Sequence, residues 1–304
     1  MEIEQLMGVL EELGGAVASV GEQVGSAVVG IGRRQRGSGT VIGDGRVVTN
    51  AHNVRGEEVT VRFGDGRTAT GRVAGVDWDG DLAVVEVDTT GARPLEWATG
   101  DVGPGAVVFG AAASPSGSAR VTVGFVSAVE RAFRGPGGRR IAGSIEHTAP
   151  LAPGSSGGPV VDAAGRLVGI NTNRVGEGFY LALPADGALR ERLEALGRGE
   201  APSRPRLGIA VAPSHVARRL QRSVGLPERD GLLVRGVEDG SLAANAGIQE
   251  GDLLVEVAGK PVTDADALQE VLGQTEPPFE VRIVRGTEER TVSVGGAGQA
   301  SGEA

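Results

Sequence analysis

Twelve short apolar runs, separated by turn-forming pairs, constrain this chain more than any other feature. Val28 to Ile31, Thr40 to Ile42, Val47 to Thr49, Val59 to Phe63, Ala69 to Val76 and Leu82 to Val87 make a first series of six. Ala106 to Ala111, Ala119 to Val129, Ile141 to Thr148, Pro159 to Asp162, Leu167 to Asn171 and Phe179 to Leu183 make a second. Pairs such as Gly43 with Asp44 and Gly64 with Asp65 break the runs where hairpin turns need small or αL-tolerant residues. With 52 glycines against nine aromatic residues in 304, short strands joined by tight turns are favoured over long helices. The expected fold class is mainly β.

Three motifs carry chemistry. GSSGGP runs from Gly154 to Pro159, TNAH ends at His52, and GDLAV begins at Gly80, so histidine, aspartate and serine appear in that order. A nucleophilic serine needs a preceding glycine that lets the backbone turn and present N–H groups to an oxyanion, and small residues after it for close substrate approach. Gly154, Gly157 and Gly158 meet those conditions around Ser156. Its neighbour Ser155 competes, but only Ser156 is followed directly by both glycines. His52 is the candidate base: His147 lies nine residues before Ser156 and His215 falls far downstream. For the carboxylate that orients it, Asp77, Asp79 and Asp81 share one period-2 face, so spacing leaves all three open. Asp77 and Asp79 also suit a solvated turn, whereas Asp81 stands at the edge of the apolar strand Leu82, Ala83 and Val84.

These pieces, TNAHNV, GDLAVVEVD, SPSG before VTVGFVSA, PGSSGGPVVDAAGRLVGIN and LPAD, resemble the HtrA (DegP/DegS-like) serine proteases in sequence and order, from about Gly25 to Val294. RLGIAV from Arg206 is similar to the carboxylate-binding loop and first strand of a PDZ domain, and GSLAANAGIQEGDLLVEVAGKPV from Gly240 to its core segment. The resemblance implies an N-terminal helix and lead-in (1–24), a chymotrypsin-like double β-barrel protease domain (25–196), a linker (197–205), an α+β PDZ domain (206–295) and a disordered tail (296–304). It implies His52, Asp81 and Ser156 as catalytic triad, backbone N–H groups of Gly154 and Ser156 as oxyanion hole, and a specificity pocket beside Gly169, Ile170 and Asn171. A hydrophobic peptide C-terminus would add beside Leu207, Gly208 and Ile209, its last side chain near Leu268 and Leu272. The expected function is an ATP-independent serine endopeptidase acting on unfolded or misfolded chains; the alternative is a chaperone-like or peptide-binding scaffold, or a surface-docking scaffold held by the N-terminal helix. Thr148 and Ala152 stand where the family usually has Asp and Asn, Ser155 replaces a common Asn, and SPSG at Ser114 lacks the usual aromatic. A homotrimer is the family's assembly, although the first aromatic here is Phe63 rather than one near the N-terminus.

Charge and composition exclude other classes. A formal net charge of -9 without a dense Lys/Arg stripe argues against nucleic acid as partner. The absence of cysteine removes disulfides and a thiol nucleophile, and three scattered histidines do not make a zinc site, so no metal or other cofactor is expected. Ile3, Leu6, Met7, Leu10 and Leu13 predict an amphipathic helix that stops at Gly14 and Gly15. No run reaches the length of a membrane span. No Lys or Arg precedes Arg33, and Glu2 and Glu4 oppose a secretory signal, which gives a cytoplasmic chain as the expectation from the sequence as written.

Overall fold

The computed structural model describes residues 3–33, 36–115, 118–135, 140–200 and 206–295; the tail expected at 296–304 and the linker residues 201–205 lie outside the described residues. Two compact units divide the chain, Met1–Pro202 and Ser203–Ala304.

The first unit opens with helix α1 (Ile3–Val24). It runs through Gly14 and Gly15 instead of stopping there. Each glycine costs a helix about 1 kcal/mol relative to alanine, but the C-terminal half buries Val20 and Val24 completely, packing on strands of the second barrel, and burial of a valine side chain contributes about 1.5–3 kcal/mol. Tertiary packing thus offsets the local penalty.

Strands β1 (Val28–Ile31), β2 (Gly37–Gly43), β3 (Arg46–Thr49), β4 (Glu58–Arg62), β5 (Thr68–Asp77) and β6 (Leu82–Glu86) close into a barrel in the order β1-β2-β3-β6-β5-β4. Strands β7 (Val107–Ala113), β8 (Ala119–Arg134), β9 (Arg140–His147), β10 (Pro159–Val161), β11 (Leu167–Arg174) and β12 (Tyr180–Pro184) close a second, in the order β10-β11-β12-β9-β8-β7. All pairings along both barrels are antiparallel. Closure removes the open edges that such short strands would otherwise expose. Val47, Val61, Leu82 and Val85 of the first barrel share one core with Phe109, Leu167 and Ile170 of the second, and β1 and β2 pack against β7.

Helix α2 (Gly187–Gly197) ends the unit. Asp186 caps it by accepting the Leu189 N–H at 2.7 Å, and Leu189, Leu193 and Leu196, on one helical face, are buried over β5 and β6. Its Arg192 reaches Asp77, and that ion pair matters for the site below.

The second unit is α+β. Its sheet runs β13 (Ile209–Ala212), β14 (Leu232–Val237), β15 (Leu253–Val257), β17 (Phe279–Arg285) and β18 (Glu288–Val294), with the short β16 (Lys260–Pro261) beside β15. Helices α3 (Ser214–Ser223), α4 (Leu242–Asn245) and α5 (Ala265–Gly273) accompany it. Ser241 caps α4 and Asp264 caps α5 through the Ala244 and Ala267 N–H groups. Leu232, Val234, Leu254, Val281 and Ile283 are fully buried. The buried Asp252 accepts two bonds from Arg285, at 2.7 and 2.8 Å, and the Gln249 N–H at 2.8 Å, which ties the turn before β15 to β17; the same bond holds the Arg285 guanidinium above its usual range. Among the described residues no helix is long and apolar enough to cross a membrane.

Candidate active site

Chain segments from both barrels meet around His52. It sits in a 3₁₀ turn, Ala51–Asn53, directly after β3, and its side chain is 37% exposed. Its Nδ1 lies 2.9 Å from each carboxylate oxygen of Asp81, which is 2% exposed. The His52 backbone N–H adds a bond to Asp81 Oδ1 at 3.3 Å. A carboxylate against Nδ1 fixes the tautomer that leaves Nε2 free to accept a proton.

Asp81 occupies the turn between β5 and β6 with φ of 54°, a left-handed conformation uncommon outside glycine. Two bonds hold it there: Asn50 Nδ2 donates to its carbonyl at 2.8 Å, and Thr172 Oγ1 donates to Oδ2 at 2.7 Å. Thr172 belongs to β11 of the second barrel, so the carboxylate bridges the seam. Sequence reading passed over Thr172, whose only signal was its place one residue past the end of the apolar run Leu167 to Asn171.

Asp77 separates cleanly from Asp81. Asp77 is not a solvated turn residue: it is 4% exposed, accepts the N–H groups of Asp79 and Gly80 at 3.1 and 3.0 Å, and pairs with Arg192 of α2. It is a buried staple for the turn that presents Asp81, with its charge directed to α2 and away from His52.

Ser156 lies on the loop before β10. Its Oγ donates to the Thr172 carbonyl at 2.9 Å, and His52 Nε2 makes no hydrogen bond among the described residues. Around it the loop is clamped by the first barrel: Ser38 Oγ donates to Gly154 O at 2.8 Å, the Ser38 N–H to Ser156 O at 2.8 Å, Asn53 Nδ2 to Ser156 O at 2.9 Å, and Thr40 Oγ1 to Gly157 O at 3.0 Å. The Ser155 carbonyl accepts the Gly158 N–H at 3.0 Å. Because a peptide's C=O and N–H point in opposite directions, that bond turns the Ser156 N–H outward. Neither the Gly154 nor the Ser156 N–H has an acceptor among the described residues, and Gly154 has φ of 87°.

Two features of the loop depart from the sequence reading. A side chain on Gly157, with φ of 89°, would collide with Ser38 O, and one on Gly158 with Ala111 O. These glycines let the two barrels' backbones pack against the loop, a requirement the local sequence does not reveal. Ser155 is 5% exposed and donates to Ala152 O at 2.7 Å, closing the loop's own turn. Thr148 occupies the departure position before the loop by accepting the Phe125 N–H at 3.0 Å, while two residues of SPSG lie outside the described residues.

Of the three residues expected to line a specificity pocket, Gly169 and Ile170 are interior positions of β11, with Ile170 fully buried. Asn171 is 1% exposed, its Oδ1 facing His147 Nε2 at 2.9 Å and its Nδ2 donating to Pro159 O at 3.3 Å. The Ile170 and Asn171 side chains are closed off from solvent, which the strand reaches at Asn173 and Arg174. His147 itself is fully buried and stacks on Tyr180 with centroids 5.8 Å apart. Burial lowers its pKa from the usual histidine value, with the Asn171 bond opposing.

In the second unit, Gly208 has φ of 72° and a Cβ there would collide with Ser241, so only glycine fits. The Leu207 and Gly208 carbonyls accept the Ala243 and Glu238 N–H groups at 2.9 and 2.8 Å, which leaves their own N–H groups without an acceptor among the described residues. Ile209 begins β13, whose one sheet neighbour is β14. Leu207, Leu268 and Leu272 are 3%, 6% and 5% exposed and share the unit's core.

Residues 37–170 match the trypsin-like peptidase domain family and residues 233–285 the PDZ domain family. A putative serine protease HhoA of Synechocystis is 33% identical over 281 residues, 85% of this chain and 70% of that protein. A probable periplasmic serine endoprotease, DegP-like, of Halomonas elongata is 33% identical over 275 residues, 86% of this chain but 56% of its own length. The chain thus spans little more than half of the latter. Among solved structures, the serine endoprotease from Yersinia pestis superimposes with a TM-score of 0.68 at 25% identity, covering 91% of this chain and 96% of that one. The HtrA-type protease AlgW with decapeptide shares the fold, with a TM-score of 0.71 at 24% identity, over 92% and 97%.

Proposed function

Since this chain belongs to the HtrA-type serine proteases, in which a trypsin-like peptidase domain is followed by a PDZ domain, we propose that it is an ATP-independent endopeptidase that hydrolyses unfolded or misfolded polypeptides through Ser156, His52 and Asp81. The observation that carries this reading is the carboxylate of Asp81 held 2.9 Å from His52 Nδ1 beside a loop whose backbone is fixed on both sides of Ser156. Rotation about the Ser156 Cα–Cβ bond, a picosecond to nanosecond event for an accessible side chain, moves the hydroxyl from Thr172 O to His52 Nε2. Ser156 Oγ then attacks the scissile carbonyl as its proton passes to His52; the N–H groups of Gly154 and Ser156 receive the oxyanion; His52 returns the proton to the leaving amine, and water hydrolyses the acyl-enzyme. The accessible end of β11, Asn173 and Arg174, supplies the wall along which the acyl side of the substrate lies.

The PDZ unit, taken as 206–295 after a linker at 197–205 and the peptidase unit at 25–196, captures hydrophobic C-termini by strand addition to β13. The open N–H groups of Leu207 and Gly208 support this reading, as does the match of residues 233–285 to the PDZ domain family. Assembly as a homotrimer belongs to the same proposal. A chaperone-like role with little turnover has one observation in its favour, the Ser156 hydroxyl resting on Thr172 O. Casein digestion and fluorophosphonate labelling, run beside Ser156→Ala, decide between them. Loss of a nucleophile costs about 10⁶ in turnover, so cleavage that survives the substitution removes Ser156 from the mechanism, and a parent chain that neither labels nor cleaves leaves the chaperone-like role.

A further inference from the structure

Beside the candidate triad, on the first barrel, three arginines converge on one cavity. The turn between β1 and β2 is closed by the Arg36 N–H on Ile31 O and the Gly32 N–H on Thr60 O, both at 2.8 Å, and Gly32 takes φ of 83°; Arg33 and Arg36 project from this tied turn. Arg55 follows the 3₁₀ turn that carries His52, between the buried Val54 and the exposed Gly56, which takes φ of 81°. With Asn53, Glu58 and Thr60 they line a cavity of about 530 Å³. Among the described residues Arg33, Arg36 and Arg55 form no ion pair, whereas Arg67, Arg166 and Arg285 are each matched to a carboxylate. Glu58 is the single acid of the lining, so the cavity is cationic in a chain whose net charge is -9.

Its position gives the charge a use. Asn53, in the cavity wall, donates to Ser156 O, and Ser38, two residues beyond Arg36, donates to the same carbonyl. On the other side of Ser156 stands β11, whose Thr172 carbonyl holds the serine hydroxyl. A polypeptide with its acyl side along β11 carries its leaving-group side across β2 and the turn after His52, over the three arginines. Guanidinium forks match carboxylates in geometry and charge, and a cleft lined by one sign of charge concentrates the opposite one.

We propose that Arg33, Arg36 and Arg55 form a subsite for acidic side chains on the leaving-group side of the substrate, so that this chain favours polypeptides with Asp or Glu shortly after the scissile bond. The proposal rests on the endopeptidase reading, and because the arginines are exposed each carboxylate contact is worth little alone. The expected preference is about three- to tenfold in kcat/KM, and it shrinks in 0.5 M salt, where the screening length is a few ångströms, on the order of 4 Å.

The test uses the full chain and fluorogenic peptides blocked at both ends, which removes any free C-terminus from the PDZ unit. The second and third residues after the cleaved bond are Asp-Glu, Asn-Gln or Lys-Lys. The parent is expected to prefer Asp-Glu. Arg36→Ala with Arg55→Ala should abolish the preference while the Asn-Gln peptide is still cleaved and fluorophosphonate labelling persists, and Arg36→Glu with Arg55→Glu should favour Lys-Lys. Equal cleavage of the three peptides by the parent, or an acidic preference that survives both double variants, overturns the subsite. If the parent cleaves and labels nothing, the endopeptidase reading fails separately. The subsite is then decided by anisotropy of the same peptides, tagged with tetramethylrhodamine, on the Ser156→Ala chain: tighter binding of Asp-Glu, lost on removing Arg36 and Arg55, supports it, and indifference refutes it.

Discussion

Thr172 ties Asp81 to the second barrel: its hydroxyl donates to Oδ2 at 2.7 Å while its carbonyl accepts Ser156 Oγ at 2.9 Å. One residue therefore touches both ends of the proposed triad. A hydrogen bond to a buried charged group is worth about 1.5–3 kcal/mol, and without it Asp81 is less firmly held against His52. Thr172→Val keeps the shape and removes the donor, and should lower kcat on casein-derived peptides about tenfold with KM little changed. Thr172→Ser should restore most of the loss. If Val and Ser variants behave alike, the hydroxyl is a packing element only.

Asp81 and Asp77 should fail in different ways. Asp81→Asn leaves the fold intact but lets His52 take the wrong tautomer, an effect on the order of 10⁴ in kcat. Asp77→Asn instead removes the charge facing Arg192, and breaking a buried pair can cost about 3–5 kcal/mol, so melting temperature should drop while kcat at 20 °C stays near the parent value. Calorimetry and initial rates on both variants check this, and a large rate loss for Asp77→Asn with unchanged melting would reverse the assignment.

The barrels were legible because strand burial follows local pattern, and the runs beginning at Val28 and Leu82 each carry enough apolar residues to mark a strand without help from distant contacts. The order of His52, Asp81 and Ser156 was legible from small-residue motifs. What was hidden depends on the far barrel. Nothing near Asp77 in sequence announces Arg192, more than a hundred positions away, and nothing near Gly157 announces Ser38 O. The helix through Gly14 and Gly15 was missed for the same reason, since its stability comes from Val20 and Val24 packing on strands not yet made when the sequence is read locally. Burial along β11 was hidden too, because apolar character marked Gly169 to Asn171 as a strand without telling its buried stretch from its accessible end at Asn173 and Arg174.

His147 gives a stability dependence on pH whose sign follows from burial. Its folded pKa is lowered, chiefly by desolvation, while the unfolded chain titrates near 6.5. As pH falls below that value the unfolded state takes up a proton that the native state resists, so stability is fully present above about pH 6.5 and is lost as pH drops toward the folded pKa, by at most about 1.4 kcal/mol per unit. His147→Gln removes the titration and keeps an N–H donor for Asn171. Between pH 7.5 and 5.5 the parent should lose more melting temperature than this variant, whose remaining ionisable groups are the same. Parallel melting curves would show that His147 takes up its proton as readily in the native state as in the unfolded chain.

Peptide capture by the PDZ unit rests on three local facts: β13 has a single sheet neighbour, the Leu207 and Gly208 carbonyls are already bonded while their N–H groups are not, and Gly208 holds a positive φ against Ser241. Open N–H groups in a tight turn attract a carboxylate, and the strand edge then takes the peptide backbone. With the full chain carrying Ser156→Ala to prevent cleavage, a peptide ending in Val or Leu should bind measurably by titration calorimetry. Amidating its C-terminus removes the charge and should weaken binding by an order of magnitude or more, since charge-assisted bonds are about twice as strong as neutral ones. Gly208→Ala should weaken the free peptide as well, because the new Cβ cannot be accommodated without shifting the loop from Ser241. If free and amidated peptides bind equally, the open N–H groups do not read a terminal carboxylate, and the β13 edge must recognise internal segments instead.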